Sequence, residues 1–160
     1  MTLDHDRYMR RALELARQSA AEGNRPIGSV IVDPSGEIVG EGRNRVFTDG
    51  DPLAHAESMA IHESARRLKT TDFSGHTIYS SLEPCPMCCW AILLASIDRL
   101  VLGGRHAELG SQDLGRYSVE TFLELTGRKL ELITGVRSQE SIDLRRAWNE
   151  ERARKGMPLR

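Results

Sequence analysis

Thr77-Ile78-Tyr79-Ser80-Ser81-Leu82-Glu83-Pro84-Cys85-Pro86-Met87-Cys88 is the stretch on which the fold turns. Its first six residues are apolar, β-branched or hydroxylated and predict a strand. Pro84 ends that strand, and Pro86 presets φ for a helix over Met87 to Ser96. A further strand, Arg99–Leu102, follows. Upstream, Asp4 to Glu22 reads as an amphipathic helix with Tyr8, Ala12, Leu15, Ala16 and Ala20 on one stripe, stopped by Gly23, Asn24 and Pro26. Ile27–Asp33 and Glu37–Glu41 form a hairpin about the turn Asp33-Pro34-Ser35-Gly36. Asn44–Gly50 reads as a polar loop. Asp51 and Pro52 then look like an N-cap and first helical residue, opening a helix to about Leu68. Downstream, a Gly-rich stretch leads to a strand over Lys129–Thr134 and a charged helix from about Ser138. Strands and helices interleaved in this order predict an α/β chain with a central five-stranded mixed sheet between helices.

The bulk numbers narrow the class. At 160 residues, with 39% apolar residues and 14 glycines, the chain has the size and composition of one globular domain spanning 1–160. Twenty-two Lys and Arg against 23 Asp and Glu give a net charge of −1, which excludes a strongly basic nucleic-acid coat, an acidic tail protein and a disordered segment. The three cysteines, Cys85, Cys88 and Cys89, crowd into five positions and are no disulfide framework. The N-terminal residues turn charged at once, and the apolar run near 90–95 is far short of the ~20 residues of a membrane helix. A cytoplasmic protein with no membrane partner is the expectation.

The chemistry gathers at two helix starts about thirty residues apart: His55-Ala56-Glu57 and Cys85-Pro86-Met87-Cys88. Cysteines at i and i+3 share a helix face, so both sulfurs can reach one point. The helix N-terminus favours thiolate, and thiolate binds metal. With one imidazole added, His55, Cys85 and Cys88 make a soft trio suited to Zn²⁺. His62 lies about 10 Å further along its helix, and Cys89 points about 100° away from Cys88, so neither completes the set. Three ligands leave the fourth position for water, as in catalytic zinc sites. Glu57 sits about 200° round the helix from His55, yet both can lean over its end. A carboxylate there can take a proton from water and pass it to a leaving group, so the spacing predicts a hydrolytic enzyme with Glu57 as its proton carrier. Two other readings remain. The Cys-Pro-Met-Cys run resembles the Cys-Pro-Tyr-Cys of glutaredoxins, although a redox motif needs no upstream His-x-Glu. A zinc-stabilised binding module would want a closed fourth position.

Together, His55-Ala56-Glu57 and Pro84-Cys85-Pro86-Met87-Cys88 resemble the H-x-E…P-C-x-x-C signature of the zinc-dependent cytidine/nucleobase deaminases. The resemblance runs over about residues 5–135 and includes Arg25-Pro26-Ile27-Gly28, Gly42-Arg43-Asn44 and Asp51-Pro52-Leu53-Ala54. The chain is similar to the compact branch holding cytosine, guanine and tRNA adenosine deaminases. The resemblance implies a three-layer α-β-α fold, a homodimer and hydrolytic loss of a ring amino group as ammonia. It implies zinc on His55, Cys85 and Cys88, proton transfer by Glu57, and a substrate hydrogen bond from Asn44. It also implies that the backbone around Ala56 and Cys85 and the carbonyls near Ser81 and Leu82 frame the ring.

Substrate choice is less legible. The tRNA-editing relatives carry an Arg-Asp-x-Lys-x-Gly-Ala loop, whereas Gly104–Ser111 here keeps Arg105, lacks the lysine and puts His106 in place of the acid. Phe122–Ile133 resembles the corresponding stretch of fungal-type cytosine deaminase, while Gly135-Val136-Arg137 and the helix after it are similar to the tRNA enzymes. A free nucleobase or nucleoside, of cytosine or guanine type, is the expected partner, with tRNA adenosine as the alternative. Substrate-enclosing residues are expected between Arg105 and Tyr117 or in the last twenty. His62, His76 and His106 are assigned no role, and Trp90 is assigned to core or dimer packing. Arg137, Arg145, Arg146, Arg152, Arg154, Lys155 and Arg160 face Glu140, Asp143, Glu150 and Glu151, a mixture that reads as a solvated helix face.

Overall fold

The fold is taken from a computed structural model that describes residues 2–110 and 113–158. Ser111 and Arg160, both named above, lie outside the described residues. The elements are α1 His5–Ala21, β1 Gly28–Val32, β2 Ile38–Arg43, α2 Val46–Asp49, α3 Ala56–Leu68, β3 Thr77–Leu82 and α4 Pro86–Leu94, then β4 Arg99–Gly104, α5 Val119–Thr126, β5 Glu131–Ile133 and α6 Ser138–Arg154. A 3₁₀ turn, Ala107–Leu109, follows β4. No helix among the described residues is long and apolar enough to cross a membrane.

The five strands form one mixed sheet in the order β2-β1-β3-β4-β5. β1 pairs antiparallel with both β2 and β3, while β3, β4 and β5 run parallel. Alternation along the strands builds two cores. Ile31, Ile78, Leu100 and Leu102 face Ala60, Cys89, Ile92 and Val119, so α3, α4 and α5 cover one side. Val30, Val32, Tyr79 and Val101 face Tyr8, Met9, Ala12 and Leu13, with Leu144 packed alongside, so α1 and α6 cover the other. The result is three layers. Gly42 allows α3 to come close, because a Cβ there would collide with the Ala56 carbonyl and the Ala60 amide. The first turn of α3 therefore rests directly on β2.

Strands β2, β4 and β5 have limits within two residues of the sequence expectation, and four departures have an identifiable cause. α3 begins at Ala56 because the Asp51 carboxylate accepts the Leu53 N–H at 2.9 Å and its carbonyl accepts the Ala54 N–H at 3.2 Å. Asp51 thus closes a tight turn, and the cap position passes to His55. Asn44–Gly50 is not all loop: Asn24 Oδ1 accepts the Phe47 and Thr48 N–H groups at 2.9 and 3.1 Å, capping the single turn α2 from some twenty residues away. α4 stops at Leu94, two residues early, and Ser96 takes a left-handed φ of 58°. α5 forms inside the stretch left unassigned, opened by a capping box between Ser118 and Thr121.

Candidate active site

Parallel strands deliver their ligands at their carboxyl ends, and β3 ends where the N-termini of α3 and α4 converge. His55 caps α3 and Cys85 caps α4, yet neither makes a side-chain capping bond, so imidazole and thiol are free to turn outward. Pro86 supplies the first helical residue of α4, which puts Cys88 in the first turn. The ligand atoms of His55, Cys85 and Cys88 all lie within 4.8 Å of one another, and His55 Nδ1 is 3.6 Å from Cys85 Sγ. Bonds of about 2.1 Å to nitrogen and 2.3 Å to sulfur at tetrahedral angles require N···S separations of about 3.6 Å. The donor set fits zinc. Among the described residues no fourth His, Cys, Asp or Glu joins this group, which leaves one position for water.

Electrostatics already favour a thiolate at Cys85. The Cys88 thiol hydrogen-bonds Cys85 and pulls the Cys85 pKa down to about 4, with His55 adding to the effect. As the donor of that bond, Cys88 has its own pKa raised, and burial raises it further. His55 is raised through its contact with Cys85. Glu57 is buried and its carboxyl is pushed up, first by burial and then by the Cys85 charge. Ser80 Oγ lies 2.8 Å from Glu57 Oε1 and 2.7 Å from the Leu82 carbonyl. One hydroxyl proton cannot serve both acceptors. Ser80 can donate to ionised Glu57, or accept from protonated Glu57 while donating to Leu82, and so accommodates both states of the acid. Sequence reading passed over Ser80.

A cavity of about 430 Å³ opens beside these groups. Asn44 borders it, fully buried, with Oδ1 accepting the Val46 N–H at 3.3 Å and Nδ2 without a partner. Leu82 borders it too. Ser81 does not, because its hydroxyl accepts the Gly28 N–H at 3.0 Å and its carbonyl accepts the Ser141 hydroxyl. Ala56 is fully buried against β2 and lies outside the lining as well. The opposite wall comes from the β4–α5 loop, with His106, Leu109, Gly110, Asp113 and Leu114, and from Arg145 and Asn149 of α6. Glu83 anchors that loop. Its buried carboxylate pairs with Arg105 at 2.9 Å and accepts the His106 and Val119 N–H groups, each at 3.0 Å.

Two sequence readings are corrected here. α6 is not simply a solvated face: Ser141, Ile142, Trp148 and Arg152 are buried and Arg145 and Asn149 turn to the cavity, because i, i+4 and i+7 positions form one stripe. His106, given no role, borders the site, and burial holds its pKa below the ordinary value. Trp90 is exposed on α4, edge-on to Phe122 with centroids 6.3 Å apart and away from the cavity lining.

An open His-Cys-Cys set beside a buried glutamate is the arrangement of a hydrolytic zinc site. Residues 2–104 match the family described as the cytidine and deoxycytidylate deaminase zinc-binding region, and the chain belongs to that family. A tRNA-specific adenosine deaminase of Haemophilus influenzae is 42% identical over 106 residues, 66% of this chain and 61% of that protein. A cytosine deaminase of Candida albicans is 33% identical over 159 residues, covering 94% of this chain and 98% of that one. The solved structure of a guanine deaminase from Nitrosomonas europaea superposes with a TM-score of 0.82 at 26% identity, over 94% of this chain and 87% of that chain.

Proposed function

We propose that this chain is a zinc-dependent hydrolytic deaminase that replaces the amino group of a small nucleobase or nucleoside-like heterocycle by a carbonyl, releasing ammonia. The observation that carries the small-substrate reading is the wall facing the metal ligands, which His106, Leu109, Gly110, Asp113 and Leu114, with Arg145 and Asn149 of α6, supply from within the same chain. The similarity to the cytosine and guanine deaminases extends across that wall. When bound, zinc supplies a Lewis acid that lowers the pKa of water toward ~7. Glu57 would take one proton from the attacking water and give it to the ring nitrogen as the C–O bond forms, then carry the remaining hydroxyl proton to the amino group as the C–N bond breaks, so that the water oxygen becomes the carbonyl and the amine leaves as ammonia. Ser80 holds one oxygen of Glu57 through these transfers, and Asn44 orients the ring.

The tRNA adenosine reading has the 42% identity of the Haemophilus protein in its favour. Against it, many arginines that could meet a phosphate backbone are spent on internal ion pairs: Arg11 with Glu41, Arg43 with Glu22, Arg45 with Asp49 and Arg67 with Glu37. Ammonia release from zinc-loaded protein given cytosine, guanine, adenine, their nucleosides and an anticodon stem-loop separates the two. Turnover of a monomer, with at most a shallow dependence on salt, is the expected result. Turnover of the stem-loop alone, falling steeply as salt rises, contradicts it. A second copy of the chain is proposed to cover the exposed stripe Met87, Trp90 and Leu94 on α4. Sedimentation should show a dimer that Leu94→Glu dissociates, and a monomeric parent protein would refute the proposal.

A further inference from the structure

Among the described residues, six buried side-chain nitrogen or oxygen atoms have no hydrogen-bond partner, and five belong to residues bordering this one cavity. They are Asn44 Nδ2, His106 Nε2, Arg145 Nε, Arg145 Nη1 and Asn149 Oδ1. Buried polar groups are normally satisfied, so a cluster of orphans around one cavity marks where a ligand's polar atoms belong. Four of the five come from the wall, not from the metal half.

That wall also carries unbalanced charge. Arg25 lies over Phe47 at 5.4 Å, Arg152 over both Phe47 and Trp148 at 4.7 and 4.8 Å, and Arg145 over Trp148 at 4.8 Å. Three guanidiniums thus alternate with two aromatic rings along one side of the site, and Arg25 and Arg145 border the cavity. The rings hold the cations in place without neutralising them. Arg145 is destabilised as a cation by burial and by the charges of Arg25 and Arg152, enough to bring its pKa to about 10, and Asp113 is the acid that opposes this. Toward Arg25, Cys85 adds a second negative charge to that of Asp113, so among the described residues the three guanidiniums still outnumber the acids that act on them. The cavity, at about 430 Å³, is of a size that takes more than a single small ring.

We propose that the substrate is an anionic heterocycle, bearing a carboxylate or phosphate remote from the reacting carbon, with Arg145 and Arg25 binding the anion and His106 and Asn149 orienting it. This rests on the deaminase reading and assigns the wall of that site its substrate class. Arginine is suited to the task because its fork of donors matches an oxyanion.

The test compares neutral and anionic members of matched pairs: cytosine against 5-carboxycytosine, and cytidine and guanosine against their 5′-monophosphates. Binding is measured by calorimetry on zinc-loaded Glu57→Ala protein, and ammonia release on the zinc-loaded parent. At least one anionic member should bind about tenfold to a hundredfold tighter than its neutral counterpart, the size expected of a charge-assisted contact. The pair that shows the gap distinguishes a carboxylate from a phosphate. Arg145→Gln should close the gap mainly through affinity and KM, Arg145→Lys should restore part of it, and Arg25→Gln should narrow it independently. Equal affinity within every pair overturns the inference, as does an Arg145→Gln variant that weakens both members alike. Turnover of neutral bases with anionic ones refused sinks this inference and leaves the deaminase reading intact. Ammonia from no compound in either series, nor from the free bases and stem-loop of the wider panel, removes the deaminase reading itself.

Discussion

The two sides of the cavity are built by different means. The metal side is assembled from the first residues of α3 and α4, so each functional group is fixed by a helix end a few bonds away. The wall is assembled from the β4–α5 loop and α6, which reach the cavity through contacts between residues far apart in the chain. Ser141 of α6 bonds the Ser81 carbonyl, Arg137 pairs with Asp6 of α1, and Glu83 holds the loop. Local construction gives a site that tolerates little change in chemistry. Long-range construction gives a wall that can change substrate while the chemistry behind it stays constant.

Substitutions should separate the two sides by the size and kind of their effect. Cys88→Ser removes a ligand from the metal side, and zinc affinity should fall by more than about a hundredfold, beyond what outer partners of a ligand cost. Elemental analysis and ammonia release should decline together. Ser80→Ala leaves the ligands in place but releases Glu57 Oε1, so kcat should drop about tenfold while zinc content holds. Glu83→Gln sits at the joint. Its buried carboxylate loses the Arg105 pair and weakens two backbone bonds, which should cost about 2 kcal/mol in denaturant unfolding, and it should raise KM more than it lowers kcat.

The smallest effect belongs to the surface clamp between α1 and α6. Arg137 holds the Asp6 carboxyl below its ordinary pKa, and Arg17 and Arg137 do the same for Glu140 against the opposing effect of burial. Both carboxylates have depressed values in the folded chain, so their contribution is present above the ordinary values and lost as pH falls through the folded ones. Arg137→Ala should therefore lower the thermal midpoint slightly at neutral pH. The difference from the parent should narrow as pH falls below the ordinary carboxylate range and vanish once both acids are protonated. A gap that persists there would locate the effect in packing instead.

What the sequence made legible follows the same division. His55, Glu57, Cys85 and Cys88 stand out because a helix start converts consecutive residues into one site, and the strand Thr77–Leu82 emerges with its observed limits. The α3 start was misplaced because Asp51 chose the Leu53 amide of a turn over a helix. α2 was missed because its cap, Asn24, lies in another segment. The Ser118 and Thr121 pair did carry a usable signal for α5. Ser80, Glu83, His106, Arg145 and Asn149 had none in the local pattern, since a buried hydroxyl, a loop histidine and a helix arginine acquire their roles only from what the fold sets opposite them.

The account stands on the separation of metal ligation from proton transfer, and one preparation tests it. Zinc-loaded Glu57→Ala protein should retain one zinc per chain through His55, Cys85 and Cys88, bind the substrate found for the parent, and release ammonia at a rate reduced by at least about a hundredfold. Full-rate release from that metal-replete variant would contradict the assignment of Glu57. Loss of the zinc along with the activity would mean that Glu57 belongs to the metal's own ligand set.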